Sequence, residues 1–128
     1  MIDIKIYFDG ACHNKKDSKD ELYGCGVAVY IDGEYSEEFS VARAGRSGTS
    51  NIAEWMGCIM SLEIASELTK LCKELDKDET VNITMYSDSQ LITRQYNGIY
   101  EVKDEVLREY FQEAVTLSTE LNYYKKIG

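Results

Sequence analysis

The sequence predicts one α/β domain built on a mixed five-stranded sheet with helices packed on its faces. Three observations lead there. The first third of the chain holds three runs that read as strands, joined as a meander. A long helical pattern and a fourth strand follow, then two further helical patterns and a last short strand-like run. The resulting order, βββ-α-β-α-α-β, returns to the sheet through helical crossovers, which pair strands in parallel. At 128 residues the chain suits a single domain over 1–128, with a core that needs no staples.

In the first strand Ile4, Ile6 and Phe8 point one way and Asp3, Lys5 and Tyr7 the other; Asp9-Gly10 is expected to end it. Cys12 to Glu21 is polar and reads as a loop. Tyr23 to Ile31 is rich in β-formers, with small residues at Gly24, Gly26 and Ala28. Asp32-Gly33 is a hairpin turn signal, and Tyr35 to Val41 is the return strand. Arg43 to Ser50 carries glycines, arginines and hydroxyl residues and reads as a loop. Ile52, Trp55, Ile59, Leu62, Ala65, Leu68, Cys72 and Leu75 recur at three- and four-residue steps, which predicts a helix from about Asn51 to Leu75. Val81 to Tyr86 is the fourth strand. Ser87-Asp88-Ser89 caps a short helix that runs to Tyr96 and stops at Asn97-Gly98. Asp104 to about Thr119 is the last helix, and Asn122 to Ile127 reads as a fifth strand.

Composition narrows the function classes. Apolar residues make up 44% and charged residues 29%, which excludes a disordered chain. No run approaches the length of a membrane span and no signal peptide is visible, so a cytoplasmic protein with reduced thiols is expected. The four cysteines, Cys12, Cys25, Cys58 and Cys72, form no C-x-x-C, and His13 is the one histidine, which argues against structural zinc. Fourteen basic residues against 23 acidic ones give a net charge of −9. That balance opposes general nucleic-acid binding through a basic surface, yet suits a site of carboxylates that hold cations.

Three acids occupy special places in the element order. Asp9 follows the first strand, Asp88 follows the fourth, and Glu54 sits in the first turn of the long helix. If the first and fourth strands are parallel neighbours, Asp9 and Asp88 project at one edge of the sheet, where ligand sites gather. Crowded carboxylates repel unless a proton or cation lies between them. Mg²⁺ prefers such an all-oxygen setting, and paired ions can activate water against a phosphodiester. Each acid also has a plainer reading. Asp9-Gly10 serves as a turn, Asn51-x-x-Glu54 as a capping box, and Ser87-Asp88-Ser89 as an N-cap cluster.

The segments Tyr7-Phe8-Asp9-Gly10-Ala11, Thr49-Ser50-Asn51-Ile52-Ala53-Glu54 and Tyr86-Ser87-Asp88-Ser89-Gln90 resemble the N-terminal signature motifs of type 1 ribonuclease H. Their spacing and the element order match as well, from Ile4 to Ile127. The resemblance implies the ribonuclease H-like fold, with strand order 3-2-1-4-5 and its first three strands antiparallel. It implies two-metal hydrolysis of the RNA strand of an RNA–DNA hybrid, leaving 5′-phosphate and 3′-hydroxyl ends. Asp9, Glu54 and Asp88 match the family's metal-binding and catalytic acids. Thr49 and Asn51 match positions that touch the nucleic-acid backbone, and Gln90 matches a residue near the RNA strand. The cofactor implied is Mg²⁺, with Mn²⁺ as a substitute.

The family pattern continues with a histidine-bearing loop and a C-terminal helix carrying a fourth metal-binding Asp. Neither has a counterpart in this sequence, which ends Lys125-Lys126-Ile127-Gly128. Two readings follow: a minimal enzyme that works with three acids, or a truncated or degenerate module that binds nucleic acid or a protein without catalysis. DNA cleavage on the same fold is a third. An absent helix would bare a sheet face, which a homodimer could cover, with Tyr123 and Tyr124 as contacts. Arg43 and Arg46 are the better phosphate contacts. Lys15, Lys16 and Lys19 are interleaved with acids, and Trp55 reads as core.

Overall fold

The computed structural model describes residues 1–13, 22–46, 50–98 and 101–119. Its elements are β1 (Ile2–His13), β2 (Leu22–Ile31), β3 (Glu34–Arg46), α1 (Ser50–Leu75), β4 (Val81–Tyr86), α2 (Gln90–Tyr96) and α3 (Glu105–Thr119). The sheet order is β3-β2-β1-β4, with β1–β2 and β2–β3 antiparallel and β1–β4 parallel. Among the described residues the sheet therefore has four strands rather than five. The expected fifth strand, Asn122 to Ile127, lies outside the described residues, as do Tyr123 and Tyr124.

The alternation in β1 is borne out. Ile4, Ile6 and Phe8 are buried, while Tyr7 stays exposed on the opposite face. In β4, Val81, Ile83 and Met85 are buried beside them. The hairpin turn forms as expected, because Asp32 and Gly33 both take positive φ (49° and 84°), the twist that a two-residue turn requires.

Two strands outrun their predicted ends. Asp9-Gly10 does not stop β1: pairing with β2 continues through Asp9↔Gly26 and Gly10↔Cys25 as far as His13↔Leu22. His13 is thus the last residue of a strand and not part of the loop. Likewise β3 runs on through Arg43 to Arg46, opposite Cys25 and Leu22. Turn-forming dipeptides yielded because the β2 partner supplies a continuous ladder, and ladder bonds outweigh local turn preference. Within β3 the register jumps from Val27↔Val41 to Val29↔Ser36, which leaves Glu37 to Ser40 as a bulge. The Ser40 hydroxyl closes it, accepting from the Val29 N–H at 3.0 Å and donating to the Ser36 carbonyl at 2.6 Å.

Helix α1 is the centre of the core. It packs on β1, β2 and β4 on one side and on α3 on the other. Trp55, Cys58, Leu62 and Ala65 are buried at 1% exposure or less, while Leu75, expected on the apolar face, is 90% exposed. Trp55 meets Phe111 of α3 edge to face, with ring centroids 5.9 Å apart. Cys72 is half-buried and packs against the core. Cys25, Cys58 and Cys72 are free thiols. Asp104 caps α3, accepting from the Val106 and Leu107 N–H groups at 2.9 and 3.1 Å.

One contact fixes how close helix and sheet come. A Cβ at Gly10 would lie 2.5 Å from the Ala53 carbonyl carbon and 2.6 Å from the Glu54 nitrogen, both backbone atoms that cannot swing away. Gly10→Ala is expected to destabilise the protein by about 1–3 kcal/mol, the usual range for overpacking, as read by urea denaturation.

Candidate metal centre

Asp9, Glu54 and Asp88 each offer a carboxylate oxygen within 4.8 Å of the others. Three separate elements deliver them. The β1–β4 ladder ends at Tyr7↔Tyr86, and each strand carries its acid two residues further on. Past Tyr86 the chain leaves the sheet, so Asp9 has β2 on one side and an open edge on the other. Asp88 sits in the short turn before α2 and is exposed. It is not the cap of that helix. Ser89 is, with its side chain accepting from the Ile92 N–H.

Glu54 comes from α1, brought in by the close approach at Gly10. The helix starts at Ser50, so Glu54 lies past its first turn and Asn51 lies inside it. This corrects both the first-turn placement and the capping-box reading. Glu54 is 8% exposed, and its Oε2 atom has no hydrogen-bond partner. A buried oxygen left without a donor is costly unless a proton or cation satisfies it. Burial pushes the Glu54 carboxyl up to about 7; a hydrogen bond from the Gly10 backbone works against that, and the Asp9 and Asp88 charges add to it.

An all-oxygen donor set, three converging carboxylates and one orphaned buried oxygen fit a hard divalent cation. Next to the acids the sheet surface is open. One cleft of ≈ 810 Å³ is lined by Asp9 and Asp88 together with Tyr7, Tyr35, Glu37 and Tyr86. A second, of ≈ 590 Å³, is lined by Asp9, Gly10, Gly26 and Arg43. Tyr7 stacks on Tyr86 with centroids 4.7 Å apart and meets Tyr30 edge to face at 5.6 Å.

The fold has known counterparts. LC11-RNase H1, isolated from compost and solved with an RNA/DNA hybrid, superposes with a TM-score of 0.68 and 27% identity, covering 91% of this chain and 77% of that one. RNase H1 from the halophilic archaeon Halobacterium salinarum gives 0.68 and 24%, covering 94% and 80%. The fold is that of type 1 ribonuclease H. The N-terminal RNase H domain of a Mycobacterium tuberculosis protein shares it, with a TM-score of 0.62 and 24% identity, over 92% of this chain and 76% of that chain. No family model matches the sequence.

Within the ribonuclease H frame the remaining expected residues fall unevenly. Arg43 lines the second cleft with Asp9, on strand β3 instead of a loop. Asn51 lies at the start of α1 and is half-buried. Gln90 begins α2 and Arg46 ends β3, but their side chains lie outside the described parts, as do Thr49, Lys15, Lys16 and Lys19 altogether. Three contributors were missed from sequence. Gly10 gives Glu54 a backbone hydrogen bond, Glu37 reaches the main cleft from the β3 bulge, and Tyr86 stacks beside it. Gly10 and Tyr86 left a signal, since both lie in the motif segments around Asp9 and Asp88. Among the described residues no helix is long and apolar enough to cross a membrane.

The raised Glu54 carboxyl makes a pH prediction. Between its ordinary value of 4.5 and about 7, the folded state holds a proton that the unfolded chain has released. Stability therefore falls as pH rises through that window, by up to about 3 kcal/mol. Metal-free protein should melt lower at pH 8 than at pH 5, and Glu54→Gln should flatten that slope. Added Mg²⁺ should raise the melting temperature more at pH 8 than at pH 5.

Proposed function

We propose that this chain is a divalent-metal-dependent endoribonuclease that hydrolyses the RNA strand of RNA–DNA hybrids. The observation that carries this reading is the convergence of Asp9, Glu54 and Asp88 within 4.8 Å at the end of the β1–β4 pair of a ribonuclease H fold. The likeness to LC11-RNase H1, a structure solved with an RNA/DNA hybrid, supports the substrate class.

The three carboxylates would hold Mg²⁺, with Mn²⁺ as a substitute. Two such ions, when bound, supply an activated water and stabilise the leaving oxygen of a phosphodiester. The residues do the rest. Asp9, within 4.8 Å of both other acids, would help to hold the ions. Asp88, exposed on its turn, faces the side open to water and would serve the nucleophile. Glu54 is held by α1 and by the Gly10 hydrogen bond, and would hold an ion and sense the 2′-hydroxyl. Its proton must leave before an ion binds, so metal loading rises with pH. Arg43 and Arg46 would contact phosphates, Thr49 and Asn51 the backbone, and Gln90 the RNA strand. With a net charge of −9, hybrid binding is weak and falls steeply with salt. We place the protein in the cytoplasm, and a homodimer contact on the sheet face that a C-terminal helix would cover.

The same net charge favours a second reading, a ribonuclease H-like module that binds a partner without cutting. Cleavage of a labelled hybrid at low salt, with Mg²⁺ and then Mn²⁺, separates the two. The expected outcome is cutting of the hybrid's RNA strand, with matched RNA and DNA duplexes intact. Asp88→Asn should lower the rate at least about 100-fold, close to 2.7 kcal/mol of transition-state stabilisation. Folded protein that cuts with neither metal would overturn the catalytic reading and leave the second.

A further inference from the structure

The acids of the metal centre repel one another, so something must hold them together before an ion arrives. Two of them ride on elements joined by a buried polar bond. Trp55, the residue after Glu54, donates its indole N–H to the Gln95 side-chain oxygen at 3.2 Å. Trp55 is fully buried and Gln95 is 6% exposed. Gln95 belongs to α2, whose cap Ser89 immediately follows Asp88.

Helix α2 has only seven residues, far below the roughly 12–15 that a free helix needs, so its position depends on tertiary anchors. Three are visible. Ile92 is fully buried, the Tyr96 hydroxyl pairs with Ser118 of α3 at 2.7 Å, and Gln95 reaches α1. At its other end the Ser87 hydroxyl accepts from the Ser89 N–H at 3.1 Å and Ser89 caps the helix, so the turn bearing Asp88 moves with α2. A shift of α2 against α1 therefore changes the distance between Asp88 and Glu54.

We propose that Gln95, through its bond to Trp55, is a positioning residue that sets Asp88 against Glu54 and so fixes the affinity of the metal centre. The proposal rests on the metal-dependent reading above. Gln95 touches neither ion nor substrate. It acts as the outer partners of metal ligands do, whose loss costs about 10–100-fold in affinity. No local sequence pattern marks it, because Trp55 and Gln95 lie 40 residues apart.

The test is calorimetric titration of the full chain with Mn²⁺. Gln95→Met keeps the length of the side chain and removes the acceptor. It should weaken Mn²⁺ binding about tenfold or more. Leu68→Ala, a core change in the part of α1 remote from Glu54, controls for lost stability and should leave the affinity within about twofold. In a Trp55→Phe background, Gln95→Met should cost little further affinity, since the bond is already gone. Trp55 is the one tryptophan, so a shift in its emission in Gln95→Met confirms that the indole has lost its acceptor. Unchanged Mn²⁺ affinity in Gln95→Met, or an equal loss in Leu68→Ala, would overturn the positioning role alone. Wild-type protein that binds no Mn²⁺ would overturn this role and the metal centre together.

Discussion

The close approach of α1 to β1 at Gly10 is the constraint on which the rest depends. No side chain fits between the Gly10 α-carbon and the Ala53–Glu54 backbone. That contact brings the helix down onto the sheet, where Trp55 is buried against Phe111 of α3, and carries Glu54 to Asp9. The same glycine bonds the Glu54 carboxyl through its backbone. Packing and chemistry therefore share one residue. A second close approach shares this spacing, since a Cβ at Gly57 of α1 would lie 3.1 Å from the Phe8 ring.

The site built on this contact stores electrostatic tension. Glu54 is buried, its Oε2 has no partner, and two further carboxylates lie close by. In water such groups would separate. Here the β1–β4 ladder, the α1 packing and the short α2 anchors hold them in place. A proton on Glu54 relieves part of the repulsion near neutral pH, and a divalent cation would relieve more. Residues preorganised in this way meet a ligand without first paying to gather. That is the property expected of a centre that binds ions rather than of a folding core.

Much of this was legible in the chain. The alternation of Ile4, Ile6 and Phe8, the Asp32-Gly33 turn and the stepped apolar residues of α1 each placed an element correctly, because each is a local pattern with one physical cause. The three acids stood out by their positions in the element order, and the structure brings them together. Strand lengths were less legible. Asp9-Gly10 and Arg43 to Arg46 look like chain breaks in isolation, yet both lie in strands because β2 pairs with them from either side. Of the cap readings, Ser89 of the expected Ser87-Asp88-Ser89 cluster does cap α2, while the Asn51 cap failed. Moving the start of α1 to Ser50 turned Asn51 from a cap into a helical residue and took Glu54 out of the first turn.

The sequence by itself determined the order of elements, the buried face of each and the identity of the candidate acids, since these follow from side-chain period and residue chemistry. Tertiary structure alone decided how far the strands run, that Glu37 enters the cleft from a bulge, and that Trp55 meets Gln95. It also set the burial that raises the Glu54 carboxyl to about 7. The reason is distance along the chain. Ladder bonds, desolvation and charge repulsion act between residues remote in sequence, and their strength is fixed only when packing makes those residues neighbours.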